Sequence, residues 1–303
     1  MDVGTRLIER ARSLGASSIA VVGTAKNVGK TVTVAALADA LQRAGIPFGL
    51  VSLGHDGESV DIVEGHAKPR LFLRPGATIA TAAALLPRHP AVDVLAATGE
   101  RCALGEIVLA GIRTPGYYEI AGPPSAAALR RVAGALARHV AFVAIDGAVD
   151  RIAALREGED AIVLAAGAAS GPTPEHVVAD LAALLARMRL RPADAERPQL
   201  RIEGALTAGA AAALARAGER RQVVVRDATH VAFGGGTFVR LARELDLRCE
   251  RELRPIACTL APLSAERAFE PAAFLRAAAS ATGFPVYDVF ASAGIEPRTE
   301  ARA

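Results

Sequence analysis

At 303 residues, 51% hydrophobic, 22% charged and 4% aromatic, the chain suits one large globular domain or two smaller ones, and it is too apolar to stay disordered. Its longest uncharged apolar stretches, such as 161–170, fall short of the ~20 residues a bilayer span requires, and Met1–Gly4 lack the basic-then-apolar layout of a signal peptide. A formal charge of +3, carried by scattered arginines with few aromatics among them, argues against nucleic acid as a partner; neither it nor a membrane is expected, and the cytoplasm is the expected location.

Ser18–Val22 is a short β-branched run that predicts a buried strand closed by Gly23. The alanine- and leucine-rich stretch 30–44 predicts a helix stopped by Gly45 and Pro47, and 48–53 a second strand. That order begins a βαβ unit and implies parallel strands. Residues 54–122 read as a turn-rich insertion with short strands near 70–73, 106–110 and 117–120 and a helix around 79–86. A helix opened by Pro123-Pro124 is expected to about Arg138, then an apolar strand over 140–145 ending in Asp146, a buried strand at 161–166 and a helix over 174–190. The charged, proline-flanked segment 191–198 reads as a linker. Strands are expected beyond it at 200–202, 222–226, 255–259 and 285–289, with helices between them. The fold class is therefore α/β with a mostly parallel sheet, divided into a nucleotide-binding domain over 1–192 and a smaller C-terminal α/β unit over 193–303.

The rare residues direct attention to one loop. Of the 35 basic residues 32 are arginine, and two of the three lysines, Lys26 and Lys30, flank the chain's single asparagine, Asn27. The stretch Gly23-Thr24-Ala25-Lys26-Asn27-Val28-Gly29-Lys30-Thr31 joins a strand to a helix N-terminus, where inward-facing main-chain amides concentrate positive potential suited to phosphate. Lys30 would reach the β- and γ-phosphates, the Thr31 hydroxyl would bind Mg²⁺, and Gly29 would let the main chain approach the phosphates. Five residues rather than the usual four separate Gly23 from Gly29. Lys26 is either a second phosphate contact or an exposed loop charge.

A bound Mg²⁺ needs further oxygen ligands. Asp146 should emerge at the carboxyl edge of the sheet, where ligands bind in open α/β folds, and it is expected to hold the metal. The group His55-Asp56-Gly57-Glu58 follows the second strand at the same edge. Asp56 could hold the metal or its water and Glu58 could orient an attacking water, or both could be solvated loop acids. Lys68 and Arg70, the Gly234–Gly236 run and His230 read more simply as surface, turn and structural residues. The three cysteines are taken as buried.

Gly23–Thr31 resembles the phosphate loop of dethiobiotin synthetase, of the form Gly-Thr-x-x-x-Val-Gly-Lys-Thr, and 145–148 resembles its Glu-Gly-Ala-Gly segment with aspartate for glutamate. That family belongs to the P-loop proteins that also include partition ATPases, whose marker lysine would fall at Ala25 here. Leu53–Asp61, Lys68–Arg70, Leu104–Ile107, Glu119–Pro123 and Ile145–Arg151 resemble the ATP-binding reactivase of adenosylcobalamin-dependent lysine and ornithine aminomutases, with His55 where arginine is expected. The resemblance implies an Mg²⁺- and ATP-dependent P-loop NTPase whose partner is a cobalamin-dependent aminomutase or a second reactivase subunit, in a homo- or hetero-oligomer. A dethiobiotin synthetase-like ligase acting on a small carboxylate and a nucleotide-gated binding module are the alternatives.

Overall fold

The computed structural model describes residues 1–54, 70–87, 90–147, 160–291 and 293–296. The fold is α/β, with a large, mostly parallel sheet flanked by helices. The chain divides into two compact units, one of Met1–Val22 with Lys30–Arg156, the other of Gly23–Gly29 with Glu157–Ala303. The boundary expected at 192/193 falls inside the second.

The first unit opens with a helix that the pattern reading passed over, α1 (Val3–Ser13), capped by the Asp2 carboxylate, which accepts from Thr5 N. It packs against α2 (Lys30–Arg43). Gly4 permits that approach, since a Cβ there would stand 2.1 Å from the Ala36 carbonyl oxygen. Strands β1 (Ser18–Gly23) and β2 (Phe48–Ser52) lie parallel on either side of β8 (Phe142–Asp146), as short buried runs with crossover helices should. Helix α3 (Ala126–Leu136) begins at Ser125, whose hydroxyl accepts from Ala128 N.

The expected insertion extends this sheet. The helix expected around 79–86 is instead β4 (Ala77–Ala82) followed by a short 3₁₀ turn, Ala83–Leu85. Its Thr78, Ile79 and Thr81 are β-branched, and the strand pairs on both edges, with β2 in parallel and with β6 (Gly105–Ile112) antiparallel. That pairing, with all six residues buried, overrides the helical preference of the alanines. The sheet of this unit ends at β5 (Val92–Cys102), a strand not expected from the sequence, whose side chains beyond Val92 are half-buried or exposed, the apolar Val94 and Leu95 included. A separate ribbon pairs β3 (Arg70–Leu73) with β7 (Gly116–Glu119).

In the second unit β9 (Ala161–Gly167), fully buried, pairs in parallel with β15 (Arg254–Ala261), which pairs with β16 (Val286–Asp288), and β17 (Gly294–Ile295) closes this edge antiparallel. The chain thus leaves β9 at Gly167 by α4 (Pro174–Met188), builds a second, smaller parallel sheet, and returns beside β9 only at Arg254. The small sheet orders β10 (Gln199–Arg201), β12 (Gln222–Val225) and β14 (Leu247–Cys249), connected through α5 (Ala208–Arg216) and α6 (Gly235–Glu244), with β11 (Leu206–Thr207) and β13 (Val231–Ala232) as a parallel pair. Helix α7 (Pro271–Thr282) packs on α4. The expected linker is pinned to this unit: Ala193 N donates to Cys249 O at 2.9 Å, and Cys249 N donates to Arg191 O at 3.0 Å.

Two cysteines are buried as expected, whereas Cys102 is half-exposed at the end of an edge strand. Burial pushes the Cys258 thiol up to about 12, and burial, with Glu252 and Asp227 nearby, pushes Cys249 to about 11. Thiolate is the reacting form, so iodoacetamide at pH 8 should label Cys102 alone in the native protein and all three cysteines in urea. Native labelling of Cys258 at the rate of Cys102, read by peptide mass spectrometry, would contradict this packing.

Candidate functional site

The Gly23–Gly29 segment is held within the second unit by main-chain and apolar contacts. Thr24 N donates to Ala165 O at 2.9 Å, tying the start of the loop to β9. Val28 is buried, and a Cβ on Gly167 at the end of β9 would approach Val28 Cα to 3.3 Å and Ala261 O to 2.8 Å. A Cβ on Gly29 would meet the Ala261 side chain at 3.0 Å and the Val289 side chain at 3.3 Å. The loop therefore rests on the carboxyl ends of β9, β15 and β16, an arrangement that no short motif spells out.

Two left-handed residues shape the loop. Gly29 has φ 87°, and Asn27 has φ 57°, the one non-glycine with positive φ among the described residues. Asparagine tolerates that region better than other side-chained residues, which gives the chain's single asparagine a conformational reason. Alternation of this kind turns successive N–H groups toward one side, the condition for an anion-binding concavity. Lys26 and Asn27 are exposed, while Thr24, Ala25, Gly29, Lys30 and Thr31 are half-buried and Gly23 is buried. The Thr24 Oγ1 atom is itself buried without a hydrogen-bond partner, and such a hydroxyl is costly unless something else satisfies it.

Lys30 and Thr31 open α2 in the first unit. Thr31 Oγ1 donates to Asp146 Oδ2 at 3.2 Å, joining residues 115 apart in sequence. The fold dictates that meeting: β1 and β8 are parallel neighbours with Val21 opposite Asp146, and Gly147 N donates to Val21 O at 2.9 Å. The strand that feeds the loop and the strand that ends in the aspartate therefore finish at one edge. The donor set of hydroxyl and carboxylate is hard and oxygen-only, the chemistry that Mg²⁺ prefers, with water and phosphate oxygens to complete its shell. No group of three or more His, Cys, Asp or Glu suited to a metal occurs among the described residues.

Asp56, Glu58, His55, Asp61 and Lys68 lie outside the described residues. The segment that precedes them is fixed: Leu53 N donates to Asp146 O at 2.9 Å and Gly54 N to Pro123 O at 2.8 Å, so the chain enters 55–69 from the edge that carries Asp146. His230 sits with Asp227 and Thr229 in a local turn, its Nδ1 3.2 Å from Asp227 Oδ1, and Gly235 begins α6.

No protein-family model matches the chain, and no curated protein or solved structure is significantly similar to it. No described helix is long and apolar enough to cross a membrane.

Proposed function

We propose that the chain is an Mg-ATP-dependent P-loop nucleoside triphosphatase that couples hydrolysis to a conformational change and acts as the reactivase, or chaperone, of a cobalamin-dependent aminomutase. The observation that carries the nucleotide reading is the bond from the Thr31 hydroxyl to the Asp146 carboxylate, formed at the first turn of a helix entered from a glycine loop. Thr31 and Asp146 would hold Mg²⁺, which would neutralise charge on the phosphate oxygens. The chain's own groups supply the rest. The Lys30 ammonium and the loop amides position the terminal phosphate and stabilise the charge that builds on its oxygens as water attacks. The Thr24 hydroxyl would find in a phosphate oxygen the partner it lacks. Little covalent chemistry is asked of the protein, since phosphoryl transfer is accelerated mainly by placement and charge. Asp56 is proposed to hold the metal or its water and Glu58 to orient the attacking water, and loss of the terminal phosphate to release the loop around Asp56 and drive the motion. The client class rests on the resemblance of the middle region.

Phosphate release is the test, measured with the purified protein alone, with a panel of small carboxylates and with an inactivated aminomutase. Slow basal turnover raised by the mutase is expected. Stimulation by one carboxylate alone would replace the reactivase with a ligase, and absence of turnover in every arm would leave a binding module.

Asp146→Asn separates metal from nucleotide. The amide oxygen can still accept from Thr31, so the fold should be unchanged, but the lost negative charge should raise the Mg²⁺ concentration for half-maximal turnover by about tenfold or more, with nucleotide binding partly retained. Unchanged magnesium dependence would remove Asp146 from the site.

A further inference from the structure

The end of β16 carries a feature the phosphate loop does not explain. Val289 N donates to Leu260 O at 3.0 Å, so Val289 still belongs to the ladder with β15, and its Cγ2 lies 3.3 Å from the Cβ position on Gly29. The next residue, Phe290, is 52% exposed. Its backbone is not loose: the Asp288 carboxylate, itself 1% exposed, accepts from Phe290 N at 2.7 Å and from Ala291 N at 3.2 Å. A buried carboxylate thus fixes the backbone of an exposed aromatic residue, one position from the side chain that lies against the glycine of the phosphate loop. Folding alone gains little from such a placement, because a ring left half in water forgoes much of its burial free energy. A second apolar side chain, Leu263, also 52% exposed, lies two residues beyond Ala261, the other residue that packs on Gly29.

We propose that Phe290 is the stacking surface for the base of the bound nucleotide. This inference rests on the phosphate-binding reading of the loop, and it adds where the other end of the ligand goes. A nucleotide whose phosphates occupy the cradle must lay its base on one flank of it, and Phe290, exposed and next in the chain to the Val289 that lies against Gly29, is the aromatic residue this inference assigns to that flank. Because every base has a π-face, stacking of this kind is tolerant of base identity, so Phe290 contributes affinity for ATP and GTP alike and leaves the choice between them to polar groups.

The test compares Mg-ATP, Mg-GTP and Mg-tripolyphosphate binding to the parent chain and to Phe290→Ala, whose exposed position should spare the fold. Alanine should weaken both nucleotides by about 5- to 150-fold, the range that loss of one base–aromatic stack gives, and leave tripolyphosphate within about twofold. The parent chain has no tryptophan, so Phe290→Trp provides a single tryptophan, excited selectively at the red edge beyond the three tyrosines. Its emission should be quenched by ATP and GTP and not by tripolyphosphate. If the parent binds both ATP and tripolyphosphate while Phe290→Ala binds ATP as tightly as the parent, the ring does not stack on the base and this inference fails alone. If the parent binds neither, the phosphate cradle fails and this inference with it.

Discussion

A Lys30→Ala chain is expected to keep its fold and to lose nucleotide turnover by about 10²- to 10³-fold, with weakened ATP affinity, because the one ammonium group at the start of α2 is removed from the phosphate that must gain charge in the transition state. The fold should survive because the loop takes its shape from other groups. Thr24 N is bonded to Ala165 O, Val28 is buried, and Gly29 packs against Ala261 and Val289, none of which the substitution touches. The checks are phosphate release, nucleotide titration and a urea transition measured on the same preparation. A variant that hydrolyses ATP at the parental rate would remove Lys30 from the reaction.

The largest stability effect is expected at Gly122. A Cβ on that residue would stand 1.6 Å from the Ser52 carbonyl oxygen, and the neighbouring Gly54 is as tightly placed, its Cβ position 2.3 Å from Gly122 O. Here β2 and the segment 120–123 meet backbone to backbone, with Ser52 Oγ donating to Ile120 O at 3.1 Å and Gly54 N to Pro123 O at 2.8 Å. No side-chain rotamer relieves a clash with main chain. Gly122→Ala should therefore cost about 3 kcal/mol or more and lower the urea midpoint accordingly. Because Leu53, next to this contact, donates to Asp146 O, turnover should fall with stability. Gly134 gives the control. It lies inside α3 with nothing within 4 Å of its Cβ position, and Gly134→Ala should stabilise the chain by about 0.5–1 kcal/mol through helix propensity. A midpoint for Gly122→Ala within that of Gly134→Ala would contradict the packing described.

Much of the architecture was legible because buried parallel strands write themselves as short apolar runs. Ser18–Val22, 140–145 and 161–166 are such runs, and each is a strand near its expected place. Legibility failed where local preference and tertiary pairing disagree. Residues 79–86 are mostly alanine and leucine, yet β2 and β6 supply partners on both sides of Ala77–Ala82 and make it a strand. It failed again at β5, an edge strand whose apolar Val94 and Leu95 are exposed, so that its sequence does not alternate between a buried and a solvent face. The C-terminal region was read as a sequence of strands and helices, but pattern alone does not say which strand pairs with which; the return of β15 to β9 across an intervening small sheet is a long-range choice.

The candidate site divides in the same way. Gly23–Thr31 and Asp146 could be picked out because a glycine loop with a lysine and a lone strand-end acid are signals carried by residue type and spacing. The single asparagine drew notice only as a rarity, and its left-handed backbone supplies the reason. Val289, Ala261 and Gly167, which buttress the loop, left no mark in the sequence, since small and apolar residues at strand ends are common and only the fold brings these three together.

Isothermal calorimetry with Mg-ATP on the purified chain tests the central claim most directly. Saturable heat with a stoichiometry of one nucleotide per chain, abolished or much weakened in Lys30→Ala and displaced by tripolyphosphate, is the result expected. Absence of heat together with no competition by any triphosphate would contradict it and leave the Gly23–Thr31 loop a turn without a ligand.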